Sequence, residues 1–423
     1  MSVDDRVVPA ARGLASGLAG HRQLERTIRS EYGRVLSVLL RELRDIDLAE
    51  DALGDAIVEA AEHWSQGRSP EEPAAWLLTV ARRRAIDRLR RRSTARRRAP
   101  LLVVPDADEP PEPRSDGIAD ERLRLLCTAC HPALSRSAQV ALTLRVVSGL
   151  RVREVAQAFL VSESAMEQRI TRAKRKIRDA GIPYAVPARV ELPRRLAAIL
   201  AVVYLVFNEG HTASAGPVLH RVELQEEAIR LAELLHQILP DDTEAAGLLA
   251  LLLLSASRRD ARAAGGGPVP LPEQDRSRWD HDRLTRGVAL ARTTFARGTA
   301  GPYLLQAAIA SVHAEAVSYD TTDWRRIVAY YDLLVEATDT PVVRLNRAIA
   351  VLESGAPAAA LEQVDDLAPQ LRAYHPWHAT RAEILLRLGD TTASADAFRQ
   401  AIGRCDNEAV ADHLRARLAQ VSA

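Results

Sequence analysis

Apolar residues recur along the chain at three- and four-residue steps, the spacing of amphipathic helices, and this predicts an all-α protein. The clearest instance lies between Ser148 and Gly181. Val152, Val155, Ala156 and Phe159 form one stripe, and after a short break Met166, Ile170, Ala173 and Ile177 form a second. Ser162, followed by a charged first turn at Glu163, suits a helix N-cap. The opposite face of the second helix carries Ser164, Glu167, Gln168, Arg169, Thr171, Arg172 and Arg175, within a cationic run that also holds Lys174, Lys176 and Arg178. An apolar-backed helix with polar residues early and cations late fits a helix-turn-helix, the early residues reaching base edges and the cations sitting on phosphates. An ordinary amphipathic helix with a solvated basic face is the blander alternative.

Two helices are predicted within 21–64. Leu36, Leu39, Leu40 and Leu43 stripe the first; the second, Asp47–Trp64, combines Leu48, Ala52, Ile57 and Ala60 with the acidic set Asp47, Glu50, Asp51 and Asp55. That set is either a solvated face or a docking surface for a basic partner. Arg68–Pro73 reads as a loop. The next helix, Ala74–Arg92, keeps Trp76, Leu77, Val80, Ile86 and Leu89 on a buried side and loads the rest with Arg82, Arg83, Arg84, Arg88, Arg90, Arg91 and Arg92, relieved only by Asp87. Ten arginines between Arg82 and Arg98 exceed what solubility needs; phosphate contact with counterion release accounts for them better than a merely charged surface. Pro100–Gly117, with five prolines and five acids against Arg114 alone, is an extended, self-repelling linker.

The rear half is helical by the same periodicity. Gly355 and Gly389 lie 34 positions apart, and Arg347-Ala348 aligns with Arg381-Ala382. Thirty-four is the period of a tetratricopeptide repeat, strong over 341–410 and weaker over 190–335. The longest apolar runs, Leu196–Phe207 and Leu248–Leu254, are too short to span a bilayer and read as buried helices. Asn208, Glu209, His211, Asp275, Arg276, Trp279, Asp280, His313, Glu315, Asp323, Trp324 and Asn346 exceed what a plain solenoid needs. They form either a regulatory or ligand contact, with Asn208, Glu209, His211, Asp275 and Trp279 foremost, or hydrogen-bonded groups that fix helix positions. Glu209 with His211, and His313 with Glu315, sit two apart and so on different helix faces, with no third ligand at recognisable spacing. No metal and no cofactor is expected.

Composition adds a contrast between the halves. Residues 1–185 hold 32 Lys/Arg against 26 Asp/Glu, whereas 186–423 hold 25 against 30, which suggests nucleic acid for the front and another task for the rear. Three cysteines cannot build a disulfide framework. Cys127-Thr-Ala-Cys130-His131 matches the CxxCH of haem attachment, but that chemistry needs export and the first 20 residues show no apolar signal core. A cytoplasmic protein with no membrane contact is the expectation.

DLAEDALGDAIVEAAEHW, AWLLTVARRRAIDRLRRR and ALTLRVVSGLRVREVAQAFLVSESAMEQRITRAKRKIR resemble regions 2 and 4 of an extracytoplasmic-function (ECF) RNA polymerase sigma factor. YLVFNEGHTAS, QDRSRWD, TDWRRIVAYYDLL and PVVRLNRAIAVLESG resemble the sigma group with a C-terminal tetratricopeptide-like extension. Arg83 departs from the usual Asn, and His211 from the usual Tyr. The resemblance implies an N-terminal tail (1–20), region 2 (21–98), an acidic Pro-rich linker (99–119), region 4 (120–185) and a helical extension (186–423). It further implies that Asp47, Glu50, Asp51 and Asp55 dock on the clamp helices of the polymerase largest subunit, with a further contact to the flap. The loop Ser65–Pro73 with Arg82, Arg83, Asp87, Arg88 and Arg91 takes the −10 element. Residues 149–178 enter the major groove at the −35 element, and the linker threads the RNA path. The chain is then not an enzyme, and its extension regulates it through a protein or ligand partner. The alternatives are a DNA-binding activator with a repeat-type sensor, or an enzyme in the rear half.

Overall fold

The computed structural model describes residues 24–422 apart from 25–26, 29–30, 67–69, 96–114, 160, 188–189, 214–217, 264–266 and 299. The tail 1–20, part of the loop 65–73, Arg96, Arg97 and Arg98, and most of the linker lie outside the described residues. Among those described, every regular element is helical. The chain forms two units, Met1–Val202 and Val203–Ala423.

In the first unit, α1 (31–43), α2 (Ile46–Trp64) and α3 (Pro73–Ala95) share one core. Asp45 caps α2 by accepting from the Asp47 and Leu48 amides at 3.0 and 3.1 Å, as a short carboxylate before a helix does. The stripes bury Leu36, Leu39 and Leu40 from α1, Leu48, Ala52, Leu53 and Ala60 from α2, and Leu77, Val80, Ala81 and Ala85 from α3. Leu43, Ile57, Ile86 and Leu89 are only half-buried, because alanines at 81 and 85 let α2 and α3 close on each other along a narrower line. Trp76 braces Trp64 edge-on at 5.8 Å.

The helix-turn-helix module consists of α4 (Ser115–Ala129), α5 (Arg136–Leu142), α6 (Val152–Ala158) and α7 (Glu163–Asp179). Helix α4 begins inside the expected linker, at a Ser-Asp pair suited to a helix start. Thr143–Val147 is a π-helical turn, which periodicity does not announce. The predicted break between α6 and α7 is present. Ser162 caps α7 through the Ala165 amide, and Met166, Ile170, Ala173 and Ile177 are its buried residues.

Helix α8 (Leu192–His211) leads into the second unit, whose first group is α9 (Val222–Ile238), α10 (Thr243–Ser257), the short α11 (Arg259–Arg262), α12 (His281–Phe295) and α13 (Pro302–Glu315). Leu248–Leu254 is buried in full, since α10 is covered by α9, α12 and α13. Gly247 makes this possible: a Cβ there would meet the Leu304 amide nitrogen at 2.6 Å. Glu244 in turn accepts from the Tyr303 and Leu304 amides at the start of α13, where the helix dipole favours a carboxylate.

The second group is α14 (Trp324–Ala337), α15 (Pro341–Glu353), α16 (Pro357–Asp366), α17 (Ala368–Leu371), α18 (His375–Arg387), α19 (Thr391–Ile402) and α20 (Glu408–Ser422). Helices α15 and α18 start 34 residues apart, as do α16 and α19. Gly355 and Gly389 both adopt positive φ, 95° and 86°, at the matching turns. Ion pairs repeat with the helices: Arg347 binds Asp332 and Arg381 binds Asp365, each at 2.7 Å. The 34-residue period is therefore physical. No helix among the described residues is long and apolar enough to cross a membrane.

Phe398 is 1% exposed at the centre of the α18–α20 core. Phe398→Ala is expected to cost about 3–5 kcal/mol of that unit's stability, seen as a lower urea midpoint in its unfolding transition.

Candidate nucleic-acid interface

Helix α7 presents three faces. One is buried. A second places Ser164, Glu167, Gln168, Thr171, Arg172 and Arg175 in solvent, with Arg169 half-buried beside them. Arg169, Arg172 and Arg175 have no ion-pair partner among the described residues. The fixed helix lifts these side chains in successive turns, polar ones first and guanidinium groups later, as a major groove requires: base-edge partners near the N-terminus and phosphate partners beyond it.

The third face binds the protein itself. Lys174 reaches Asp47 at 3.3 Å and also the Glu50 carboxylate, and Arg178 Nη1 donates to Asp47 at 3.0 Å. Arg145 Nε adds a contact to Glu50 at 3.1 Å, and the Tyr32 hydroxyl donates to the same carboxylate at 3.3 Å. Burial and the adjoining Glu50 carboxylate push the Tyr32 phenol well above its ordinary pKa, so it stays a donor. The Arg145 guanidinium lies 5.4 Å from the Tyr32 ring centre. The Tyr184 hydroxyl donates to the Ser37 carbonyl at 3.1 Å. The approach is close enough to need glycine on both sides. A Cβ on Gly33 would meet the Val147 carbonyl oxygen at 2.2 Å, and one on Gly149, at φ +70°, would meet the Tyr32 side chain at 2.5 Å. The helix-turn-helix module is thus docked against α1 and α2.

This docking changes the status of the acidic set. Glu50 is 6% exposed, so it is an interior ion-pair partner in this arrangement and not a free surface carboxylate. Asp51 and Asp55 are taken by Arg88, at 2.9 Å each, and the Arg88 hydrogen bond holds the Asp55 carboxyl below its usual range. The arginines of α3 are similarly engaged. Arg82 binds Glu42 at 2.6 Å, and Arg83 and Arg84 share Glu59 at 2.6 and 2.7 Å. Burial raises the Glu59 pKa, but the two guanidinium hydrogen bonds outweigh it and the carboxyl is held low. Asp87 is half-buried and Arg91 exposed. Glu42 and Glu59, the partners of these arginines, are absent from the sequence-based site. Glu42 lies on α1 and Glu59 on α2, and only the packing of those helices against α3 brings them to these arginines.

Cys127 and Cys130 are both buried, and burial raises their thiols to about 11 and about 12. Cys130 Sγ lies 3.4 Å from the Thr143 hydroxyl, so the CxxCH stretch is a wall of the module's core.

In the second unit the residues singled out from sequence separate. Asp275, Asp280 and Asp323 cap helical turns through the Ser277, Arg283 and Arg326 amides, a structural role. Glu209 lies 3.8 Å from Arg221, and Glu315 binds Arg292 at 2.9 Å. Half-buried Asn208 offers its backbone carbonyl to the Thr212 amide. His211 stacks on Phe207 at 5.3 Å and contacts Arg262. Trp279 is buried between Arg258 and Arg276. Glu209 and His211 point to different partners, as their spacing requires, and His313 and Glu315 do likewise. No group of three His, Cys, Asp or Glu among the described residues is placed to hold a metal.

Residues 27–95 match the family model for Sigma-70 region 2 and residues 125–177 that for Sigma-70, region 4; residues 195–295 match DUF6596, a family of unknown function. The chain is 41% identical over 396 residues to the uncharacterized protein R00370 of Rhizobium meliloti, covering 92% of this chain and 94% of that protein. It is 31% identical over 153 residues to the ECF RNA polymerase sigma factor SigK of Mycobacterium tuberculosis, covering 34% of this chain and 79% of SigK. The SigK of Mycobacterium sp. (strain KMS) is 29% identical over 143 residues, covering 32% and 72%.

Two outcomes follow from this geometry. Lys174→Ala with Arg178→Ala removes two of the three cations on Asp47 and Glu50, a loss of about 1–3 kcal/mol in docking. Amide hydrogen exchange in 31–43 and 143–150 is expected to rise several-fold, while exchange in the α18–α19 core stays unchanged. Cys127 and Cys130 are expected to resist iodoacetamide at pH 8 in the folded chain and to react readily in urea, because a raised thiol pKa leaves little thiolate at that pH.

Proposed function

The chain belongs to the ECF RNA polymerase sigma factors, and from that premise we propose which of its residues carry the role and how the rear half bears on it. As a sigma factor it binds core RNA polymerase and promoter DNA and directs promoter recognition and transcription initiation. The observation that carries the residue assignment is the solvent face of α7. Gln168 and Thr171 stand free at the height of base edges, and Arg172 and Arg175 carry no internal counter-charge. In our reading they take the −35 element, with Ser164, Glu167 and Arg169 around them. Arg82, Arg83, Asp87, Arg88 and Arg91 take the −10 element, with Arg82, Arg83 and Arg88 exchanging a carboxylate for a phosphate.

Asp47, Glu50, Asp51 and Asp55 then meet the clamp helices, and the helix-turn-helix module meets the flap. Both contacts require the docked module to swing off α2, so Asp47 and Glu50 exchange Lys174, Arg178 and Arg145 for cations of the polymerase. Free chain in the docked form resists binding DNA through two separated sites without its polymerase. We assign region 2 to 21–98 and region 4 to 115–185, with the connecting linker ending where α4 begins. The helical extension regulates this opening, in the manner of a tetratricopeptide-like scaffold for a protein or ligand partner. The front regions belong to a non-enzymatic family. We extend that to the whole chain, which acts in the cytoplasm with the polymerase, because Asp275, Asp280 and Asp323 serve as caps and Glu209 and Glu315 as ion-pair partners.

Run-off transcription with purified core polymerase and a genomic fragment library tests the assignment. Arg172→Ala and Arg175→Ala are each expected to weaken promoter binding by about tenfold and to make the salt slope shallower by about one unit per lost phosphate contact. Gln168→Ala is expected to change which upstream sequence is preferred. Equal losses on every sequence for Gln168→Ala, or unchanged slopes for the arginine variants, would remove the base-reading and phosphate roles. No transcripts beside tight duplex binding would instead favour a DNA-binding activator.

A further inference from the structure

Most arginines in the first group of the second unit have a carboxylate. Arg259 and Arg283 share Glu226, Arg286 binds Glu233, Arg230 binds Glu227, and Arg292 binds Glu315. Among the half-buried arginines of the group, Arg258, Arg262 and Arg276 do not: no carboxylate contacts any of the three among the described residues, whereas Arg278 and Arg297, also without one, are exposed to water. Arg258 ends α10 and Arg262 ends α11, one turn apart, where like charges on one face repel. Arg258 and Arg276 flank the Trp279 ring at 5.8 and 4.4 Å, and Arg276 Nη1 donates to the His313 and Ala316 carbonyls at 3.0 and 2.7 Å. Arg262 contacts His211, whose ring centre is 6.1 Å from that of His220. The result is a continuous row of three guanidinium groups and three imidazoles.

Several donors of the row have no acceptor. Buried Arg276 Nη2 and Trp279 Nε1, both donors only, have no partner, and neither do buried nitrogens of His211, His220 and His313. Burial pushes His313 down to about 4, and burial with the neighbouring guanidinium groups holds His211 well below its ordinary value. Burial and mutual repulsion lower even Arg258 and Arg262, to about 10. Unpaired charge in a half-buried site is costly unless an opposite charge completes it. A cavity of about 410 Å³ lies beside His220, the one member of the row that lines it, with Val222, Arg259, Asp260, Ala263 and Arg278 as its other walls. That volume suits a small molecule. A duplex needs exposed cations such as Arg172, whereas Arg258 and Arg262 are recessed.

We propose that the second unit binds a phosphate-bearing small molecule on the row Arg258, Arg262 and Arg276, through the cavity beside His220. Guanidinium groups match phosphate oxygens two at a time, and His211, whose Nε2 faces the Arg262 donor, adds its unpartnered Nδ1–H. This site gives the extension a chemical input of its own, independent of how the front half reads DNA.

The test is calorimetry and thermal unfolding of the full chain with orthophosphate, pyrophosphate and ADP in turn, at constant ionic strength. Saturable binding and a Tm rise of about 3 °C at roughly ten times Kd are expected for at least one probe. Tighter binding of ADP than of orthophosphate marks a phosphorylated metabolite as the source, and equal binding marks the free anion. Arg258→Gln and Arg262→Gln should each weaken binding by about tenfold or more, whereas Arg344→Gln, which removes a pair with Asp339 elsewhere, should leave it unchanged. If the glutamine variants fail to fold, the unaltered chain decides. No saturable heat with any probe up to about 10 mM, a range that covers weak metabolite affinities, overturns the proposal. So does a Tm rise matched by sodium chloride, binding unaffected in folded Arg258→Gln and Arg262→Gln, or displacement of the probe by duplex DNA.

Discussion

A buried carboxylate, Glu50, backed by Asp47 at the surface, joins the helix-turn-helix module to the rest of the front half. Glu50 sits almost out of water and is met by Arg145, Lys174 and the Tyr32 hydroxyl. A buried carboxylate is tolerated only while its partners stay in place, so the positions of α1, α2, the π-helical turn and α7 become mutually dependent. The glycines at 33 and 149 belong to the same constraint. Their missing side chains let two backbones approach until that carboxylate can be surrounded. An interaction of this kind is better suited to a reversible contact than a hydrophobic seam would be, because another set of cations can replace the first.

The arginines of α3 and α7 differ in their electrostatic state. On α3, Arg82, Arg83, Arg84 and Arg88 are each paired with carboxylates of α1 or α2. On α7, Arg172 and Arg175 face solvent alone. Surface pairs are worth little individually and exchange readily. In the proposed role the α3 arginines are held in position without being withdrawn from use, while those of α7 leave their full charge open for long-range attraction of DNA. Charge counts along the sequence treat the two helices alike.

The second unit shows the opposite economy of charge. Its repeating hairpins place ion pairs at fixed intervals, Arg347 with Asp332 and Arg381 with Asp365. The group around Trp279 breaks that regularity with cations that no carboxylate among the described residues neutralises. The other half-buried arginines of the unit, such as Arg230, Arg283 and Arg417, each have a carboxylate, which makes the exception informative.

The sequence by itself determined the helices, the caps at Ser162 and in the Asp-led turns, the buried face of α7 and the 34-residue period. All of these follow from side-chain spacing and local hydrogen bonding, which act over one or two turns. It also carried the family, through motifs in order along the chain. Only the tertiary structure decided that Glu50 is interior, that Glu42 and Glu59 hold the α3 arginines, that α7 turns Lys174 and Arg178 inward while Arg172 and Arg175 stay out, and that Arg258, Arg262 and Arg276 converge without a carboxylate. Each of these depends on which residues distant in sequence share a few ångströms. Charge interactions reach across the fold in a way that periodicity, a property of one helix at a time, does not encode.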